Sequence, residues 1–295
     1  MAKARALDKR RKSIRNIRKI TRTMELIANA QFKRAMDRAT AATAYTDRIT
    51  QLVADLAHSG TEVSHPLLEP HAVTERAVLL TLTSNRGMCG GYNAAVLRLG
   101  VEQFNTLRSE VPQLDVEVSG KRGISALRYR DVPVQQAYTQ FEDHPKYDDV
   151  ETLANRYLDA YATGKLDRLD IVYTRFVSSA RQQAVVETLM PMGALGAAGE
   201  VDSNQVHEES LYEFQPSAES ILQEVVPTSF RVKLFKCFLD GAVSEHIARM
   251  VAMKAATENA DDIIRHLSMA YNRARQSQIT NEIMEVIGGA EALQS

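Results

Sequence analysis

The sequence predicts an α/β protein: a long antiparallel two-helix coiled coil from the N- and C-terminal segments, plus a central three-layer α/β domain with a mostly parallel sheet. Three observations predict it. Ala2 to Ser59 contains neither glycine nor proline, Phe230 to Ile287 contains no proline and a single glycine, Gly241, and between them strand-like and helix-like runs alternate. Each terminal segment is long enough, at 1.5 Å per residue, to span roughly 85 Å as one helix.

In the N-terminal segment, alternate steps of three and four pick out Ile14, Ile17, Thr21, Met24, Ala28, Gln31, Ala35, Arg38, Ala42, Tyr45, Ile49, Leu52 and Leu56. This is a heptad-like seam interrupted at Thr21, Gln31 and Arg38. Gly60 and His65-Pro66 stop it. The C-terminal segment carries a thin stripe of its own: Ala248, Ala252, Ala255, Ile263, Leu267, Ala270, Ala274, Ile283 and Ile287. Small residues on a narrow seam let a second helix approach while most of the surface stays polar. Taken alone, the stripe fits equally well a helix folded into a globular bundle. A partner of similar length at the other end of the chain favours the coil.

Between the helices the period shifts. Ala77–Thr83 reads as a buried strand, followed by the loop Ser84–Gly91 and a helix from Tyr92 to Leu107. Val116–Val118 and Val132–Tyr138 read as strands around a short helix, Gly123–Arg130, and Tyr147–Ala162 as a helix closed by Gly164. Leu169–Ser178 and Gln183–Met190 read as strands, Gly193–Gln205 as a loop, and Leu211–Phe214 as a last short strand. This alternation predicts the α/β sheet domain. The organisation is therefore an N-terminal coil helix over 1–60, an α/β domain over 75–215 and a C-terminal coil helix over 217–292.

With 295 residues, 44% hydrophobic and 25% charged, the chain can bury a sizeable core. Its net charge of −1 hides an asymmetry. Up to Arg22 there are ten cations, from Lys3 to Arg22, against the single acid Asp8, a balance of +9, so the remainder carries −10. A basic end on an acidic body is suited to an acidic partner: nucleic acid, anionic lipid or an acidic protein surface. Cys89 and Cys237 are far apart and form no CxxC, which suggests neither a disulfide framework nor a zinc site. No apolar run reaches bilayer-spanning length, and the charged N-terminus lacks a signal-peptide core.

Catalytic motifs are sparse. Arg86–Gly91 follows the first strand, where phosphate cradles occur, yet it is neither GxGxxG nor GxxxxGK[ST]. A tight structural turn is favoured there over nucleotide binding, and a buried Cys89 over a reactive thiol beside Arg86. The seven histidines show no metal spacing, with His246 and His266 twenty residues apart. Asp148-Asp149 and Asp261-Asp262 read as solvated helix faces. No cofactor, metal or catalytic residue is expected. The basic helix could hold nucleic acid, but no aromatic residue interleaves with Lys9–Arg22.

Four stretches carry a family resemblance: Ile279-Thr-Asn-Glu-Ile-Met-Glu-Val-Ile-Gly-Gly-Ala290, Ile14-Arg-Asn-Ile-Arg-Lys-Ile-Thr-Arg-Thr-Met24, Ser84-Asn-Arg-Gly-Met-Cys-Gly-Gly-Tyr-Asn93 and Ala248-Arg-Met-Val-Ala-Met-Lys-Ala-Ala-Thr-Glu-Asn259. Together they resemble the gamma subunit family of the F-type ATP synthase, in its bacterial form because no cysteine-bearing regulatory insertion is visible. The resemblance implies a non-catalytic rotor shaft that couples c-ring rotation to conformational cycling of the beta-subunit catalytic sites. It implies alpha and beta subunits, epsilon and the c-ring as partners, and a peripheral place on the cytoplasmic face of the bacterial cell membrane. By matched position, Arg249, Gln276, Thr280, Glu285 and Met24 would contact the beta subunits. Lys9, Arg10, Arg15, Arg18 and Lys19 would face an acidic beta loop, and Tyr212 and Glu213 would form a foot toward epsilon and the c-ring. The shaft contacts implied are mostly polar and weak.

Overall fold

The computed structural model describes residues 2–58, 65–141, 144–192 and 218–294. In chain order its elements are α1 (Ala2–His58), β1 (Arg76–Leu82), α2 (Tyr92–Glu110), β2 (Gln113–Ser119), α3 (Lys121–Tyr129), β3 (Gln136–Tyr138), α4 (Tyr147–Ala162), β4 (Arg168–Phe176), β5 (Gln182–Met190) and α5 (Ala218–Gln294). The expected 193–205 loop and the short strand at 211–214 lie outside the described residues. Two compact units form, residues 31–248 and residues 1–30 with 249–295, and both long helices contribute to each.

The larger unit is built on a five-stranded sheet in the order β3-β2-β1-β4-β5. β3, β2, β1 and β4 run parallel, while β5 returns antiparallel to β4. β1, Arg-Ala-Val-Leu-Leu-Thr-Leu, is buried from its second residue onward, as a central strand covered on both faces must be. Its alternate side chains enter different cores. Val78, Leu80 and Leu82 pack with Leu169, Ile171 and Tyr173 against α4 (Val150, Leu153, Tyr157, Tyr161) and the start of α5 (Val226, Phe230, Leu234, Phe238). Ala77 and Leu79 join Val116, Val118 and Val172 against α2 and α3, through Val96, Leu97, Phe104, Leu107 and Leu127. Helix, sheet and helix thus make three layers. In the same unit the second part of α1 packs Ala35 and Ala39 on Leu239, Val243 and Ile247 of α5.

Two strands differ from expectation: β2 begins at Gln113 rather than Val116, and the third strand is shorter. The third strand begins at Gln136 rather than Val132. Pro133 lacks a ladder donor, and the N–H of Val132 is taken by the Leu127 carbonyl at the end of α3. The Gln135 N–H then bonds the Val116 carbonyl, and pairing proper starts at Glu117↔Gln136. The C-terminal helix starts at Ala218 and carries Pro227 inside it. Val226 and Phe230 on either side are fully buried in the core, and that packing outweighs an interior proline cost of about 3 kcal/mol.

Buried carboxylates tie the layers together. Glu117 accepts from the hydroxyls of Tyr138 at 2.7 Å and Tyr157 at 2.6 Å, and from Arg156 at 2.6 and 2.7 Å. Asp170 accepts from Gln103, Arg168 and Thr188. Asp167 takes the backbone N–H groups of Glu75 and Arg76 and pairs with His71, which stacks on Tyr161. Burial pushes Asp167 up, but the His71 contact and those two N–H groups outweigh it and hold the carboxyl below the usual range.

Candidate protein-interaction surface

In the smaller unit α1 and α5 pair antiparallel. Three side-chain contacts set the register: Arg11 over the Tyr271 ring, Arg18 to Asp261, and Thr21 to Thr257. The residue numbers sum to 282, 279 and 278, so one helix descends as the other climbs. Thr21 and Ala28 on α1, and Met253, Thr257, Ala260 and Leu267 on α5, are the buried members. Leu7, Ile14, Ile264, Tyr271 and Ala274 are half-buried along the same line.

This seam is not the one the sequence stepping picked. Thr21, Ala28, Ala35, Leu267 and Ala274 were assigned correctly, and Ile14 and Ala42 are half-buried. Ile17, Arg38, Ala255, Ile263 and Ala270 are exposed, whereas Ala39, Met253, Thr257 and Ala260 are buried. The reason is geometric. Steps of three and four taken in the opposite order keep one line of the stripe and move the other by one residue, about 100° around the helix, and apolar residues lie on both sides of the seam. Thr21 does not interrupt the seam, since its hydroxyl is paired within it. Tyr45, Ile49, Leu52 and Leu56 lie outside the residues whose side chains are described.

The predicted contact residues fall in different settings. Gln276, Thr280 and Glu285 are exposed, with the Thr280 hydroxyl donating to the Gln276 carbonyl at 3.0 Å. Met24 is half-buried. Arg249 is only 7% exposed, its side chain engaged within the chain. It stands twenty-seven residues before Gln276, about 40 Å along a helix, so the structure does not bring the two together. Lys9, Arg10, Arg15, Arg18 and Lys19 are all exposed, and Arg18 is paired with Asp261. In the same segment, hydrogen bonds from Lys12 and Arg11 hold the Asp8 carboxyl below its usual range. Tyr212 and Glu213 lie outside the described residues.

The structure also presents an apolar surface that the sequence reading did not single out. Ile279, Ile283, Met284, Val286 and Ile287 are 44–72% exposed. The seam assignment of Ile283 and Ile287 is therefore wrong. With register sums of 278 to 282, the start of α1 at Ala2 falls opposite residues 276–280, so Ile283 to Ile287 lie beyond the described part of α1. On α5 Ile279, Ile283, Val286 and Ile287 occupy one side of the helix, spaced i, i+4, i+7 and i+8, with Asn281 and Glu285 opposite and Met284 on the flank. A clustered patch of this kind marks an interaction site. The signal was visible in Ile279–Ile287 but hidden by the assumption that every apolar position belongs to the seam.

In the larger unit, the Ser84–Gly91 loop is closed on itself. The Ser84 hydroxyl donates to the Arg86 carbonyl at 2.6 Å, and the Asn93 amide donates to the Ser84 hydroxyl and the Cys89 sulfur while its oxygen accepts from the Ser84 N–H. The Arg122 guanidinium lies so close over Gly87 that a Cβ there would come within 2.8 Å of it. Cys89 is buried at 2% exposure, as a structural turn requires. Among the described residues there is no group of three or more potential metal ligands.

The sequence profile of the ATP synthase family described as "ATP synthase" matches residues 3–293. The ATP synthase gamma chain of Rhodopirellula baltica is 61% identical over 295 residues, covering all of both chains. That of Saccharopolyspora erythraea is 38% identical, covering 100% of this chain and 99% of its own. Among solved structures, a chain of the Euglena gracilis mitochondrial ATP synthase OSCP/F1/c-ring assembly superposes with a TM-score of 0.63 at 19% identity, covering 99% of this chain and 95% of that one. A chain of the rotor of the same enzyme gives 0.60 at 17% identity, covering 94% and 99%. These two likenesses establish a shared fold. A full-length match at 61% identity, carried by both helical ends and the sheet domain between them, establishes that the chain belongs to the ATP synthase gamma chain family.

Proposed function

We propose that this chain is the central rotor shaft of a proton-translocating F-type ATP synthase, coupling c-ring rotation to the conformational cycle of the beta catalytic sites. The observation that carries the reading is the antiparallel pair of terminal helices, the C-terminal one exposing every residue from 279 to 289. The full-length family membership supports it, and the names of the structural neighbours, a rotor and an F1/c-ring assembly, agree. The shaft performs no bond chemistry itself. Its partners are the alpha and beta subunits of the head, epsilon and the c-ring. No helix among the described residues is long and apolar enough to cross a membrane. In this reading the chain is held peripherally, through the c-ring, on the cytoplasmic face of the bacterial membrane.

Within that reading Gln276, Thr280 and Glu285 meet beta loops, with Met24 near them on the N-terminal side. The exposed apolar residues from Ile279 to Ile287 add contact area that the mostly polar expectation lacked. Apolar contact is non-directional, so a smooth sleeve around such a tip can bear on it without fixing one rotational position. Lys9, Arg10, Arg15, Arg18 and Lys19 turn positive charge toward an acidic beta loop. Arg249 would reach a partner loop only by leaving its buried position. Tyr212 and Glu213 form the foot toward epsilon and the c-ring.

The test is reconstitution. Purified alpha and beta subunits mixed with this chain should assemble and gain ATPase activity, and no gain over alpha and beta alone would contradict the proposal. Calorimetry with ATP on the isolated chain should show no saturable tight binding, which separates the shaft from a nucleotide-binding enzyme.

A further inference from the structure

At the centre of the paired segment, where apolar side chains are the rule, two hydroxyls meet. Thr257 Oγ1 lies 2.8 Å from Thr21 Oγ1, and both residues are buried. Thr257 Oγ1 is also 2.8 Å from the Met253 carbonyl, and Thr21 Oγ1 is 3.1 Å from the Arg18 carbonyl. The pair is satisfied in either of two proton arrangements. If Thr257 donates across the seam, Thr21 donates to Arg18. If Thr21 donates across, Thr257 donates to Met253. Each hydroxyl can therefore both give and receive, and the bond across the seam exists in both cases.

The neighbouring members, Ile14, Ala28, Met253, Ala260 and Leu267, make contacts with no preferred direction, and a repeating apolar seam tolerates sliding by one heptad. A slip of seven residues would set Thr21 against Met250 or Ile264, and Thr257 against Ile14 or Ala28. Each hydroxyl would then keep only its own helix carbonyl. In one direction the slip also sets Arg18 opposite Lys254 in place of Asp261, trading an ion pair for like charges.

We propose that Thr21 and Thr257 are positioning residues that lock the register of the two helices, so that torque applied at one end cannot be relieved by one helix sliding past the other. The register part stands on the geometry alone; the torque part rests on the rotor reading. The two are tested separately.

Register is read in the isolated full-length chain by disulfide closure between introduced cysteines, the native Cys89 and Cys237 being buried. Ile14→Cys with Leu267→Cys reports the observed register. Ile14→Cys with Ala260→Cys, or with Ala274→Cys, reports a slip of one heptad either way. In the parent the first pair should close and the other two should lag. In Thr21→Val/Thr257→Val at least one slipped pair should gain roughly five- to tenfold in rate, the worth of one cross-seam hydrogen bond. Thr21→Ser/Thr257→Ser should restore the lag. Slipped pairs that stay as slow in the double valine variant as in the parent would overturn the lock. So would a double valine variant that fails to fold, since the pair would then serve stability and not register. For the torque part, the reconstituted membrane complex carrying the double valine chain should hydrolyse ATP at the parental rate but pump fewer protons per ATP. An unchanged ratio beside a demonstrated slip would remove the torque role and leave the register role standing.

Discussion

The guanidinium carbon of Arg11 sits 4.6 Å from the centre of the Tyr271 ring, and the same group donates to Asp8 at 2.6 Å. This contact fixes how far along α5 its partner extends. From a register sum of 282, α1 reaches no further than about residue 280, and every residue from 279 to 289 is exposed. The tip should therefore be dispensable for folding and needed for work. A chain ending at Gln278 should melt at the parental temperature and, in the reconstituted head, give clearly lower ATPase activity. A large fall in melting temperature would mean that the tip packs on this chain itself.

Glu117 is a second point of leverage, because two phenols and one guanidinium converge on its carboxylate inside the sheet layer. Burial, with Glu117 next, raises the Tyr157 and Tyr138 hydroxyls well above their ordinary range, which keeps both as donors. Glu117→Ala leaves Arg156 and both hydroxyls without their acceptor and should cost about 3–5 kcal/mol. Glu117→Gln, which keeps an acceptor oxygen, should cost less. Urea denaturation of the full chain measures both, and equal losses would contradict the role given to the charge.

Two carboxylates, Asp240 on α5 and Glu187 on β5, respond to pH in opposite senses. Burial pushes Asp240 up to about 6, against the pull of Lys236, Arg175 and the Phe176 N–H. Between its unfolded value of 3.8 and about 6 the folded state holds a proton that the unfolded state has released, so stability falls as pH rises through that window. Burial also opposes the charge of Glu187, but Lys233 foremost, with Tyr173 and Arg175, brings it down to about 2. Its contribution is present above 4.5 and is lost as pH falls from there toward 2. Asp240→Asn should remove a decline of up to about 3 kcal/mol between pH 4 and 6, read as a flatter plot of urea midpoint against pH. A slope equal to the parent's in that window would count against the assignment.

The fold was legible where burial forces a pattern. β1 is apolar from Ala77 to Leu80 and again at Leu82 because helices cover both its faces, and α4 was read with its observed limits because Gly164 closes it and its apolar residues follow one face. The paired helices were legible as helices, from the lack of glycine and proline, but not in rotation about their axes. Ala28–Ala35–Ala42 fixes one line of the seam. The second line could run through Gln31 and Arg38 or through Phe32 and Ala39, and only packing chooses the latter. Strand β3 was overextended because Val132 and Val134 look strand-like while the Val132 donor is spent on α3. The buried acids Glu117 and Asp167 could not be paired from sequence, since their side-chain partners lie tens of residues away. The apolar tip was present in Ile279–Ile287, yet its exposure depends on where α1 ends relative to α5, a long-range relation.

Ala255 provides the most direct test of the central claim, that the paired helices are a shaft. The residue is exposed on α5, two positions from Thr257, so Ala255→Pro breaks the helix backbone without removing a seam side chain, at a local cost of about 3 kcal/mol or more. Proton-driven ATP synthesis should be measured in vesicles carrying the assembled complex with the proline variant, with Ala255→Ser as control. The account predicts an assembled complex in which the proline variant has lost most of its synthesis and the serine control has kept it. Parental synthesis rates in the proline variant would contradict it.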